Sequence, residues 1–403
     1  MQYDPFDPDV PSDPYPVYEW LRDEAPVHHA PLTDTFVLSR HDDVAWAIAD
    51  GDLFSSDAMR GVLLGQPTGV GEERLPRADA MGALVSIDAP GHSELRTIVN
   101  RGFTPRHITG WHARIEELVT TLLEGVRAGE ALDIVGRLAA PLPVRVIAEL
   151  LGGDAAQADQ FKVWADSLTR MMNGSDRSGE PSPEAAEAMF GLFSYITGAI
   201  EDRQREPRDD LLTTLVRAQG DDVLSQGEAV GFAALLLFAG AETTTNLIGN
   251  AVWALLEHPD ELHRTVADPV RLGAVIEETL RWEAPVQYVF RRSTRPFERR
   301  GVAVPADAIV TLVLASANRD PRRWGDAADR FDPDRGAGAH LSFGFGPHFC
   351  LGAALARAEA SVALEHLLPL LPGSNVAAGA HDYIDSLQFR GRRRLEIQTK
   401  EHV

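Results

Sequence analysis

The sequence predicts a mainly α fold with a minor β component, on three observations. Apolar residues recur at helical spacing through most of the 403 residues. Strand-like runs are few, short and far apart. One segment, 225–257, reads as a single helix of unusual length, opened by the capping residue Ser225 and closed before Pro259. Length alone favours two or three domains, yet no linker divides the chain. No repeat of roughly 20 to 50 residues suggests a solenoid or propeller.

Taken in order, 111–128 places Ile115, Leu118, Val119, Leu122 and Leu123 at helical spacing with charges between them. Segments 138–151, 157–172 and 184–205 read the same way, separated by Gly- and Pro-bearing breaks. A further helix, 358–368, runs on from the cysteine region. Strands are expected at 35–39, 286–292, 309–314 and 394–399. Two stretches, 55–82 and 170–183, read as long loops, which in folded proteins are lids, binding segments or tolerated insertions.

Charge narrows the class of function. A net charge of −22 argues against a nucleic-acid binder. Ten arginines nevertheless fall between Arg291 and Arg335. They make either a locally basic face or a set of ion pairs. One cysteine excludes an internal disulfide framework and fits a reducing compartment. The N-terminal stretch lacks a signal-peptide pattern. The most apolar run, 231–241, is shorter than the ~20 residues of a membrane span. A soluble, cytoplasmic protein is expected.

The cysteine has informative neighbours: Phe343-Gly344-Phe345-Gly346-Pro347-His348-Phe349-Cys350-Leu351-Gly352. Gly344 and Gly346 permit a tight turn and let backbone N–H groups approach the sulfur. A helix beginning at Cys350 would place the thiol at a helix N-terminus, where its pKa falls. A thiolate is the axial ligand that lets haem iron push electron density into a bound O–O unit. Gly352 leaves room for a flat macrocycle, and His348 is within reach of a propionate.

A second cluster, Ala239-Gly240-Ala241-Glu242-Thr243-Thr244, lies in the middle of the long helix. A carboxylate in so apolar a run is costly without a partner, and a mid-helix glycine costs roughly 1 kcal/mol against alanine. A local opening at Gly240 would free a carbonyl for water. Thr243 would hold that water, and Glu242 would link it to bulk protons. A cap at a break between two helices is the plainer alternative.

These segments resemble the cytochrome P450 family. All six defined positions of its haem loop, Phe-Gly-x-Gly-x-His-x-Cys-x-Gly, are present, and 239–244 is similar to its distal-helix motif, with Ala241 where bacterial relatives often carry histidine. Ala317-Asn318-Arg319-Asp320-Pro321 and Phe331-Asp332-Pro333 extend the resemblance over most of the chain from Asp88 onward. It implies a triangular helical domain with a minor β region, formed as one domain over 1–403, with haem b as cofactor. It implies Cys350 as iron ligand with Phe343 beside the sulfur. His92, Arg96, Arg291 and His348 would bind propionates, with Ala239, Gly240, Gly344 and Gly352 close to the macrocycle. Glu242 and Thr243 would deliver protons. Glu278 and Arg281, completed by Arg330, would form a structural ion pair.

The resemblance further implies an apolar substrate site. Leu84, Val85, Leu235, Val289 and Phe389 are its candidates, with Leu63, Leu64, Met81, Leu168, Met171 and Leu387 around them. Tyr288 and Phe290 would either narrow that site or turn away from it. The implied activity is oxygen insertion from O2, with electrons from a separate ferredoxin or flavodoxin and its NAD(P)H reductase. An acidic ferredoxin would dock behind the cysteine loop, with help from 291–335. A peroxide-driven peroxygenase would keep Cys350 without needing the acid–alcohol pair. A sensor or recruiting domain would keep the fold without proton delivery.

Overall fold

In the computed structural model, the residues described are 3, 13–31, 33–59, 83–153, 157–172, 182–208, 210–220, 224–336, 338–376, 379, 382–386 and 388–400. Most of the expected loops 55–82 and 170–183, with Leu63, Leu64, Met81 and Leu387 and the side chain of Met171, lie outside them.

Single turns aside, the helices are α1 (Tyr15–Glu24), α2 (His41–Ala49), α3 (Gly91–Val99), α4 (Pro105–Leu122), α5 (Pro141–Leu150), α6 (Ala158–Met172), α7 (Pro183–Arg205), α8 (Leu211–Gly220), α9 (Gln226–Glu257), α10 (Pro259–Ala267), α11 (Leu272–Trp282) and α12 (Ala353–Leu367). The strands are β1 (Val27–Ala30), β2 (Thr35–Leu38), β3 (Phe54–Ser55), β4 (Ala131–Asp133), β5 (Val289–Ser293), β6 (Phe297–Arg299), β7 (Val302–Val304), β8 (Ile309–Leu312), β9 (Asn375–Val376) and β10 (Glu396–Gln398).

Helix α9 forms as expected, with a full capping box between Ser225 and Glu228. It packs against α5, α6, α7, α11 and α12. By length and apolar composition it would suffice to cross a membrane, but most of its apolar window is buried in the protein. Two expectations are corrected by local chemistry. Helix α4 starts earlier than residue 111, because Thr104 caps it and Pro105 occupies its first position. It ends before Gly125, which is left-handed at φ 80°. The helix expected at 138–151 is split into a π turn at Val135–Ala139 and α5, which Pro141 begins.

Three of the four expected strands join one sheet of order β1-β2-β8-β5-β3, in which β2 and β8 are parallel. That pairing ties the N-terminal segment to residues near the cysteine loop. The C-terminal strand β10 pairs with β4 and β9. Along β5 and the residue before it, side chains alternate between faces. Tyr288 and Phe290 pack with Tyr18 and Leu21 in a core on one side. Val289 and Arg291 face a cavity on the other. Tyr288 and Phe290 therefore turn away from the site.

Behind the sheet, Glu278 and Arg281 form a fully buried bidentate pair with both bonds at 2.7 Å. Arg281 also donates to the carbonyls of Asn318, Ala328 and Arg330. The expected third member is corrected. Arg330 contributes only its carbonyl, and its side chain is exposed. Arg335, brought back by the 3₁₀ turn Pro333–Arg335, approaches Glu278 at 3.5 Å. With its carbonyl turned inward to Arg281, Arg330 directs its side chain to the surface, and the guanidinium near Glu278 comes from the turn instead.

Arg281→Ala should lose about 3–5 kcal/mol of unfolding free energy by stranding Glu278. Arg335→Ala should lose about 1–3 kcal/mol, whereas Arg330→Ala should stay within about 0.5 kcal/mol of wild type. Urea unfolding of the three variants checks this order.

Candidate functional site

One cavity, between α9, the start of α12 and strand β5, brings most of the expected residues together. Its walls include Cys350 and Gly352, the basic side chains His92, Arg96, Arg291 and His348, the α9 residues Leu235, Ala239, Gly240 and Thr243, and Leu84, Val85, Val289, Phe343, Gly344 and Phe389. Leu168 is instead ordinary core.

The cysteine loop is shaped by two left-handed glycines, Gly344 at φ 63° and Gly346 at φ 69°. The Cys350 N–H donates to Phe343 O at 2.9 Å, closing the turn. Helix α12 begins at Ala353, not at Cys350, with Gly352 at its N-cap. The sulfur thus precedes the helix, and the N–H groups of Gly352 and Ala353 still reach it. Burial nonetheless raises the thiol pKa, against the opposing pull of those N–H groups and of Arg96 and Arg357. The expected lowering is therefore not produced by the polypeptide alone. A bound metal ion deprotonates a coordinating thiol outright. A Cβ built on Gly352 meets no protein atom within 4 Å, so the space beside it is open.

Basic groups surround the cavity with little countercharge. His92 is 2% exposed, and its Nε2 has no partner among the described residues. Burial, then Arg96, lowers its pKa. The His348 ring lies 4.0 Å from that of His92, and its Nε2 meets Ser56 Oγ at 3.1 Å. Burial and the neighbouring His92 and Arg291 lower it to about 3. Arg291, 7% exposed, donates to the Phe290 carbonyl, and burial lowers it to about 10. Among the described residues, Asp88 is the carboxylate felt by several of them, and it is engaged by Ser55 Oγ and Ser56 N.

Helix α9 runs unbroken past Gly240, so the expected opening is absent. The Thr243 hydroxyl donates to Ala239 O at 2.7 Å. Gly240 has a packing reason as well: a Cβ there would come within 2.8 Å of Ile147 on α5. Glu242 is half-buried and accepts from Asn246 Nδ2 at 3.3 Å. It is not among the cavity-lining residues.

Sequence reasoning did not single out Met59, Phe103, Phe232, Phe238, Gln388 and Glu359, which also line the cavity. Glu359 had a legible signal: it shares the α12 face of Leu355 and Val362, an apolar stripe. Burial raises its pKa to about 8, and its Oε2 lacks a partner among the described residues. The arginine-rich stretch proves largely committed. Arg292, Arg299, Arg300, Arg319, Arg322 and Arg335 form ion pairs, and Arg291 turns inward. Of the two alternatives open for 291–335, ion pairs describe most of the stretch.

The donor set fits haem b. A soft sulfur and an open glycine face suit the iron and the plane of the ring. Underused His92, Arg96 and Arg291 suit two carboxylates.

The family model for Cytochrome P450 matches residues 270–370. Cytochrome P450 107B1 of Saccharopolyspora erythraea is 37% identical over 371 residues, covering 91% of this chain and 89% of the relative. Erythromycin C-12 hydroxylase of the same organism is 40% identical over 332 residues, 82% of this chain and 80% of the relative. The solved structure of Cytochrome P450 CYP109Q5 from Chondromyces apiculatus superposes with a TM-score of 0.86 at 34% identity, covering 100% of this chain and 99% of that one.

Removing the buried, uncompensated charge should separate two properties. Arg291→Met should stabilise the haem-free protein by about 1 kcal/mol or more and speed haem loss. Urea unfolding of the apoprotein and haem transfer to apomyoglobin measure the two. A destabilised apoprotein with unchanged haem retention contradicts this account of Arg291.

Proposed function

The chain belongs to the cytochrome P450 family, and from that premise we propose which of its residues carry the family's chemistry. The protein is a haem-thiolate monooxygenase that inserts one oxygen atom of O2 into a mainly hydrophobic small molecule, by hydroxylation or epoxidation. When bound, haem b supplies the activation and transfer of oxygen. The observation that carries the residue assignments is the convergence of Cys350, Thr243 and three underused basic side chains, His92, Arg96 and Arg291, on one cavity.

Cys350 holds the metal through its sulfur, inside a loop whose Phe343 carbonyl and glycine turns keep it in place. Arg96, Arg291, His92 and His348 take the propionates, and Asp88 orients the segment beside them through Ser55 and Ser56. Thr243 exchanges its bond to Ala239 O for one to a water, holding a proton donor where oxygen reduction requires it. Glu242, half-buried one residue away, passes protons between that water and solvent. Leu84, Val85, Leu235, Val289 and Phe389 exclude water and orient the substrate by shape.

The two electrons of each turnover come from a redox partner, which we take to be a ferredoxin or flavodoxin with its NAD(P)H reductase. Docking over the cysteine loop is supported by the exposure of Phe349, and not by 291–335. The same reading treats 1–403 as a single domain, acting in the cytoplasm on a secondary metabolite. A peroxide-driven enzyme would have less use for Thr243 on the cavity wall.

Thr243→Ala should divert electrons into peroxide, lowering product per NADPH several-fold while reductant consumption continues. Unchanged coupling removes the role given to that hydroxyl. Cys350→Ser should abolish the thiolate-specific Soret band of the reduced, carbon monoxide-bound protein.

A further inference from the structure

On the side of Phe343 away from the cavity, a small charged assembly closes over the aromatic ring. The Arg357 guanidinium lies 4.5 Å from the ring centroid, within the range of an attractive cation–π contact. Phe343 lines the cavity and Arg357 does not. Arg357 cannot wander, because Glu277 grips it bidentately, Nε to Oε1 at 2.5 Å and Nη2 to Oε2 at 2.9 Å. His340 steadies Glu277 in turn. Its Nδ1 accepts from Ser342 N at 3.2 Å, which leaves the proton on Nε2, 3.3 Å from Glu277 Oε2.

We propose that Arg357 is a positioning residue for the metal–thiolate unit: seated on Phe343 and clamped by Glu277, its charge raises the potential at which the iron is reduced. The inference rests on Cys350 being the axial ligand. Reduction adds one electron, breaks no bond and moves no proton, so the unit becomes more negative by one charge. A fixed cation behind the ring therefore favours the reduced form. Glu277 both holds and partly offsets that cation. Despite its burial, hydrogen bonds from His340 and Arg357 bring Glu277 down to about 2, so it remains ionised at neutral pH. Among the described residues, Arg96 and Arg357 are cations whose field acts on the Cys350 sulfur. Arg96 faces the cavity and has the propionates to neutralise it, whereas Arg357 sits behind the ring with a charge that Glu277 only partly offsets.

The test is a mediated dithionite titration of the haem-loaded protein, wild type against Arg357→Met and Glu277→Gln. Arg357→Met should lower the reduction equilibrium constant roughly threefold, about 28 mV at 59 mV per tenfold step. Glu277→Gln, which keeps one bond to the guanidinium and removes the opposing charge, should shift it upward. If Arg357→Met fails to take up haem, the sign of the Glu277→Gln shift decides. Unchanged potentials overturn the proposal, including the case in which only the KM for a plant-type ferredoxin rises, since Arg357 would then serve docking. Loss of the thiolate Soret band in the wild type would instead defeat the Cys350 assignment itself.

Discussion

The site depends on an imbalance of charge. Around one largely apolar cavity the polypeptide places His92, Arg96, Arg291 and His348, and against them it sets Asp88, whose oxygens are engaged by Ser55 and Ser56. Burying a cation without an ionic partner is costly, and with Arg96 and Arg291 on its wall the cavity favours a ligand carrying two negative charges. Burial lowers the pKa values of His92, Arg291 and His348, the expected result of crowding basic groups into a space with little countercharge. The thiol tells a matching story. Its pKa is raised by burial, and an iron at the sulfur, as proposed, would supply the stabilisation that the loop alone does not. Haem thus completes the electrostatics of the protein as well as its chemistry.

A second, distant charge arrangement holds the frame in which that imbalance is possible. The Glu278–Arg281 pair binds α11 to three carbonyls of the chain that leads into the cysteine loop. Here every donor is used, so burial is tolerated. The two networks illustrate opposite uses of buried arginine. Arg281 is saturated and stabilises; Arg291 is left short and awaits a ligand. Between them, α11 also carries Glu277, so the helix that secures the frame places a carboxylate behind the cysteine loop.

Much of this was legible in residue order because it is local. The glycines at 344 and 346 announce a left-handed turn, and the cysteine loop, the α9 cluster and the capping box at Ser225 are contiguous motifs. A strand at 286–292 was legible too, but whether Tyr288 and Phe290 met the cavity depended on pairing with β8 and on the core around Tyr18. The π turn before α5 and the early start of α4 came from Pro141, Thr104 and Pro105, cues present in the sequence but overridden there by apolar periodicity.

By itself the sequence determined the mainly helical fold, the haem-thiolate chemistry and the candidate ligand, because those reside in short motifs whose spacing has one physical reading. Tertiary structure decided which long-range partners meet. It chose Arg335 over Arg330 for Glu278, since backbone geometry had already turned the Arg330 carbonyl inward. It spent most of the 291–335 arginines in ion pairs with residues as distant as Asp23 and Asp43. It kept α9 continuous through Gly240 and packed that glycine directly against Ile147. Charge type is written in the chain; whether a charge is satisfied depends on what folding brings within hydrogen-bond reach.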